Sequence, residues 1–202
     1  AKITDLGPAS TPLAGTELLE IVQSGNSLSV AASDIGNSAN ALPYASLTGR
    51  AYLSAYSAID QNGSTSAATA VIIGTTSLSQ GITVANNGSG NPTRVTFAAA
   101  GTYAIMPSIQ FNNSASSDHD VTVWFRKNGT DTPASATVIT VPKAGDGGAA
   151  FFQIVYYEQV TAGQYVEIMW LPENTAVTLD YTAAGAIAPA VPSVIMCAER
   201  IA

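Results

Sequence analysis

From residue 102 to the last residue the chain reads as one β-strand after another, and several of these strands are apolar on both faces. In 164–171 (QYVEIMWL), Val166, Ile168 and Trp170 alternate with Tyr165, Glu167, Met169 and Leu171. In 151–157 (FFQIVYY), both alternating sets are again mostly apolar or aromatic. Successive side chains of a strand point to opposite faces, so a sandwich strand normally buries only every second one. Strands that are greasy on both sides need a second cover, and no segment has the length and period of a helix that would supply it. Another copy of the same chain is the simplest cover. The pattern therefore predicts an oligomer.

From residue 70 onward the hydrophobic period is two, punctuated by turn residues. Candidate strands are 71–73, 82–84, 94–97, 102–111, 121–127, 137–141, 150–158, 164–171, 177–181 and 193–200. Between them lie Asn87-Gly88, Asn128-Gly129, the run 145–148 (GDGG), Ala162-Gly163 and a Pro189 to Pro192 stretch, all turn chemistry. About ten short strands at even spacing, with no long helix, predict an antiparallel all-β sandwich or barrel over 70–202. Ahead of it, 1–39 carries short apolar clusters between turn residues, with Gly25-Asn26 expected to turn a hairpin and Ser33-Asp34 placed to cap a helical turn at Ile35. Residues 40–69 read as a connector. Tyr44, Leu47, Tyr52, Leu53 and Tyr56 recur at roughly helical spacing, and 60–69 (DQNGSTSAAT) is a polar loop or linker.

Only 10% of the chain is charged and 47% is hydrophobic, against about 25% charged in ordinary domains. That is too apolar for intrinsic disorder, and no apolar run approaches the roughly 18 residues of a membrane helix. The net charge of −7 comes from 14 acidic and 7 basic residues with no Lys/Arg cluster, which removes the electrostatic footprint expected of a nucleic-acid binder. The single Cys197, in the strand-like run SVIMC, excludes an intrachain disulfide and a cysteine zinc cage. It is expected to be a buried, inert thiol. The first residues, AKITDL, lack the charged and apolar regions of a signal peptide, which fits synthesis in a cytoplasm.

Catalytic chemistry has few candidates. Asp118-His119-Asp120 holds the sole histidine, in a polar loop, and is expected to be a solvated turn rather than a metal site, since transition metals need three or four ligands. The GDGG run could cradle an anion but has only Lys143 nearby and no following helix, so it reads as a flexible loop. Asp118, Asp120, Asp131, Asp146 and Asp180 could gather around calcium, yet show no regular ligand spacing. There is no G-x-S-x-G and no supported Cys–His arrangement. The expectation is a protein that is not an enzyme and has no cofactor.

Two stretches carry a family resemblance. The order RVTF-AAAGTY, VTVWFRKNGTD, VTAGQYVEIMW and PAVPSVI resembles the tumour-necrosis-factor/complement-head-like jelly roll, whose F-x-x-x-G-x-Y element falls here on Phe97, Gly101 and Tyr103. More narrowly, Trp124–Thr130, Ala162–Trp170 and Pro189–Ser193 look like phage-encoded versions of it. The N-terminal run KITDLGPASTPLAGTELLEIVQSG resembles a lead segment of phage virion proteins, matching at Ile3, Leu6, Pro8, Ala9, Leu13, Gly15, Glu17, Leu18, Val22, Gln23 and Gly25. It departs by an inserted Gly7, an extra residue before Leu13, and Ile21 where valine is usual.

What the resemblance implies is an all-β, tumour-necrosis-factor-like jelly-roll sandwich forming a homotrimer. Its N-terminal segment would mount it on a virion, through Ile3, Leu6, Leu13, Leu18, Ile21 and Val22 as capsid-attachment candidates. The doubly apolar strands supply Tyr165, Met169, Trp124, Phe152 and Tyr156 as trimer-interface candidates. Its partners would be itself and the major capsid protein or another virion protein, with no nucleic acid and no membrane, and its place the virion surface after synthesis in the host cytoplasm. The alternative is a tail-fibre or head-fibre tip that binds a host-surface glycan through loops such as 112–120, 130–135 and 145–148. Those loops are rich in Asn, Asp and Ser but poor in aromatics.

Overall fold

The computed structural model describes Leu18–Gln23, Asn26–Ala31 and Arg50–Ala202. The described residues fall in two units, one within Ala1–Gly49 and the other Arg50–Ala202. In the first, β1 (Leu18–Gln23) and β2 (Asn26–Ala31) pair antiparallel, from Leu18 opposite Ala31 to Gln23 opposite Asn26, as the hairpin expectation required. Ile3, Leu6, Leu13, the Ser33-Asp34 cap and residues 40–49 lie outside the described residues.

The second unit is two antiparallel sheets. One contains β3 (Tyr52–Ser57), β4 (Gln61–Asn62), β6 (Thr75–Gln80), β9 (Gly101–Asn113), β13 (Ala149–Gln153), β14 (Tyr156–Val160), β16 (Val177–Leu179) and β17 (Val194–Arg200). The other contains β5 (Thr69–Ala70), β7 (Ile82–Asn86), β8 (Pro92–Phe97), β10 (His119–Lys127), β11 (Thr130–Asp131), β12 (Thr137–Val141) and β15 (Tyr165–Pro172). In the first sheet the principal neighbours run β3, β17, β9, then β13 and β14; in the second they run β8, β15, β10, β12. β3 thus lies beside β17, the last strand, in one sheet, and β8 beside β15 in the other. That order is a jelly roll, the double Greek key that the resemblance implied. The described residues contain no α-helix, only a 3-10 turn at Ala144–Asp146.

Inward side chains of both sheets meet in one core holding Phe97, Tyr103, Ile105, Phe111, Phe125, Ile168, Trp170, Leu179 and Met196, all essentially inaccessible. Each large side chain so buried stabilises by about 1.5–3 kcal/mol. The F-x-x-x-G-x-Y element acquires a physical reason here. Phe97 ends β8 in one sheet, Tyr103 begins β9 in the other, and their rings meet at 4.4 Å across the corner. The Tyr103 hydroxyl donates to Ala99 O at 2.9 Å, tying down the corner turn. A Cβ on Gly101 would collide with Ala202 O and the Arg200 guanidinium, so glycine lets the last strand close against this corner.

The connector reading of 40–69 does not hold beyond residue 49. Residues 52–57 are β3, paired with β17 on one side and β6 on the other, with Leu53 and Ala55 in the core. Tyr52 and Tyr56 are four apart, and an even spacing fits one face of a strand as well as one face of a helix. In the polar 60–69 tract, Gln61 is buried. Its amide completes a strand edge, accepting from Ile72 N at 2.8 Å and donating to Ile72 O at 2.9 Å. The expected strand 150–158 divides at Ile154 and Val155 into β13 and β14, and the Asn128-Gly129 turn has the two positive φ values, 48° and 82°, of a tight hairpin.

Candidate functional site: an uncovered apolar sheet face

The long central strand β9 decides which side chains leave the core. Tyr103, Ile105, Ile109 and Phe111 point inward and are buried. The alternate set, Ala104, Met106, Ser108 and Gln110, therefore faces out, and strand pairing carries that parity to every neighbour. Three rows cross the outer face from this register. One is Tyr157, Ala104, Glu199 and Tyr52; the next Met106, Cys197, Ser54 and Leu78; the third Gln153, Ser108, Ile195 and Tyr56. Phe151 lies opposite Gln110 beyond them.

Glu199 is the one charged side chain in these rows. Across the same face Phe151 is 59% exposed, Tyr157 60%, Leu78 63%, Ile195 42% and Tyr52 41%. Large apolar side chains are thus spread over a sheet face that no described residue covers. Exposed apolar side chains gathered on one face can mark an interaction site, which makes this face the candidate functional surface.

The structure redistributes the sequence-derived interface candidates. Phe152 and Met169 are buried within the chain, at 7% and 2% exposure, and are unavailable to a neighbour. Tyr156 points inward and stacks on Phe125, with centroids 4.2 Å apart and planes at 11°. Trp124 and Tyr165 are half-buried on the outer side of the other sheet. There Trp124 Nε1 donates to Asp131 at 2.8 Å and the Arg94 guanidinium covers the Tyr165 ring at 4.3 Å. β15 is indeed buried on both faces, Met169 included, but its cover comes from within the chain. In FFQIVYY the apolar residues fill both parities, so composition could not say which set faces out; packing against Phe125 selects Phe151, Val155 and Tyr157.

The same region pins the two sheets together. Lys127 Nζ on β10 donates to Glu158 Oε1 on β14 at 2.8 Å and to Gln159 O at 3.2 Å, while the Tyr156 hydroxyl donates to Glu158 Oε2 at 3.2 Å. Burial, and then the Glu158 charge beside it, hold the Tyr156 phenol above its ordinary pKa. Next to Lys127 on β10, hydrogen bonds from Arg126 and Trp124 hold the Asp131 carboxyl below its ordinary value.

The remaining candidates are dispersed. His119 sits 3.6 Å from Glu173 and 3.2 Å from Ser117 Oγ. Asp118 accepts from Lys143 N, Asp120 from Thr140 Oγ1, and Asp146 pairs with the Lys143 ammonium. Among the described residues no three His, Cys, Asp or Glu side chains converge as a metal site. The GDGG run forms the 3-10 turn, and Cys197 is half-buried on the outer face rather than in the core.

No protein-family model matches this sequence, and neither does any curated protein. Among solved structures the chain is similar to murine APRIL at pH 5.0, with a TM-score of 0.47 and 9% identity over 75% of this chain and 99% of that one. A structure of murine APRIL at pH 8.5 gives 0.46 and 10% over the same shares.

Proposed function

We propose that this chain is a virion structural protein: a homotrimeric jelly roll that decorates a phage capsid and is held there through its N-terminal segment. The observation that carries the self-association is the apolar outer face built around Tyr52, Phe151, Tyr157 and Ile195. Burying such a face against copies of itself is favourable at about 25 cal/mol per Å², and a closed ring satisfies every copy without open-ended polymerisation.

The placement on a virion rests on the resemblance of the N-terminal run. The β1–β2 ribbon contains Leu18, Ile21 and Val22 of that run. Three such footholds on one trimer act as a single strong attachment through their effective concentration. The proposed role is not catalytic, and the proposed location is the virion surface. Counting copies of this chain in purified particles by quantitative mass spectrometry tests the reading. Hundreds of copies per particle are expected; a few tens would turn the role toward a fibre tip, and absence from particles would overturn it.

A further inference from the structure

The apolar outer face carries one carboxylate, placed where any covering surface has to reach it. Glu199 on β17 is exposed and lies opposite both Ala104 on β9 and Tyr52 on β3, while Tyr157 on β14 lies opposite Ala104 from the other side. Adjacent strands are about 4.8 Å apart, so Glu199 stands one strand from Tyr52 and two from Tyr157, on the line between them. A surface that covers both tyrosine rings therefore lies over Glu199. Among the described residues no ion pair or hydrogen bond holds its carboxylate. Nor do the three rows supply a cation. Their other titratable groups are the Tyr52, Tyr56 and Tyr157 phenols and the Cys197 thiol, which carry no positive charge in any state. Glu158, beside Tyr157, has the opposite parity and is bound by Lys127. Two arginines stand near the end of the row. Arg200 Nε donates to Ala202 O at 3.1 Å, and Arg50, just ahead of β3, is exposed and forms no ion pair with Glu199.

We propose that self-association through this face is proton-linked, the Glu199 carboxylate taking up a proton as a neighbouring copy covers it. The inference rests on the self-association proposed above and supplies its regulation. A covered carboxylate loses its water, and with no cation to replace that water the charge is costly to bury. A proton removes the charge and turns the group into a hydrogen-bond donor. The assembled state then binds more protons than the separate chains do, so assembly strengthens as pH falls and weakens as pH rises. Each proton taken up changes the association constant by up to about tenfold per pH unit. The net charge of −7 per chain also favours assembly in acid, but it is spread over 14 acidic residues. A single substitution at Glu199 separates the two effects.

The test is analytical sedimentation of the full-length protein over a dilution series, from about pH 7.5 down to about pH 5.5. It compares the parent with Glu199→Gln and with Glu173→Gln, which removes the same charge at an exposed site beyond β15 in the other sheet. Glu199→Gln should tighten the trimer by about tenfold or more at the upper pH and flatten its pH profile, while Glu173→Gln keeps the profile of the parent. Where dilution does not separate the subunits, the urea concentration that does so reads the same effect, and it should be higher for Glu199→Gln at the upper pH. A trimer with the same pH profile in Glu199→Gln as in the parent overturns the proton link and leaves the self-association standing. So does a trimer that Glu199→Gln weakens, as it would if Arg50 of a neighbouring copy paired with the carboxylate. A parent that is monomeric at every pH overturns the self-association itself, and the proton link with it.

Discussion

The ring of Tyr156 lies on that of Phe125, 4.2 Å between centroids and 11° from coplanar, joining β14 of one sheet to β10 of the other. This contact sets the parity of the whole 151–157 stretch. With Tyr156 inside, Phe151, Val155 and Tyr157 must face out, and the apolar surface of the eight-stranded sheet follows.

Removing the stack should therefore be costly. Phe125→Ala is expected to destabilise the fold by about 3–5 kcal/mol, read by urea unfolding followed by tryptophan fluorescence. Tyr156→Phe keeps the ring and loses the hydroxyl's hydrogen bonds with Glu158 and Thr132, so a loss of about 1 kcal/mol is expected. Equal losses for the two variants would mean that the ring contact contributes little.

Gly63 tests close packing over the core tryptophan. A Cβ there would meet Pro172 Cγ and Cδ and Trp170 at 2.8 Å. Gly63→Ala should cost about 1–3 kcal/mol as an overpacked site. Gly88 has open space around it, and Gly88→Ala should stay within about 0.5 kcal/mol of the parent in the same denaturation experiment.

Asp131 gives a pH signature. Its carboxyl is held below the ordinary value of 3.8 by hydrogen bonds from Arg126 and Trp124. The folded state thus holds this proton less tightly than the unfolded state. The resulting stability is present above 3.8 and is lost as pH falls through the lower folded value. Asp131→Asn should reduce stability at neutral pH and flatten the acid limb of the stability curve. The effect is expected to be small because the carboxylate is more than half exposed. An unchanged acid limb in the variant would show that the Arg126 and Trp124 contacts do not persist in solution.

Tyr156 gives the opposite limb. Its phenol is raised above 10.0, chiefly by burial. The neutral form is favoured in the fold, so the contribution is complete below 10.0 and disappears as pH rises through the higher folded value. Alkaline titration of phenolate absorbance should show a late-titrating component that Tyr156→Phe removes; an unaltered titration curve in that variant would contradict the assignment.

Strand existence was legible wherever alternation or turn chemistry was strong. β12 matches its expected limits at Thr137–Val141, and the Asn128-Gly129 hairpin sits where its residues demand. Strands without a period-two apolar signal were missed. All six residues of β6, TTSLSQ, are exposed, so nothing in their hydrophobicity marks them as a strand; they are set by pairing with β3. The interface fared differently. None of the five sequence-derived candidates lies on the uncovered face, because which parity of a doubly apolar strand faces out depends on long-range contacts such as Phe125 with Tyr156, and local sequence does not encode those.

The central claim is that the face carrying Phe151 and Tyr157 joins copies of this chain. Light scattering behind size exclusion tests it on the full-length protein and on the double variant Phe151→Glu, Tyr157→Glu, with circular dichroism confirming that the variant is folded. The account predicts a mass near three times 20.6 kDa for the parent and 20.6 kDa for the folded variant. A parent that runs as a monomer, or a folded variant that keeps the parent's mass, would contradict it.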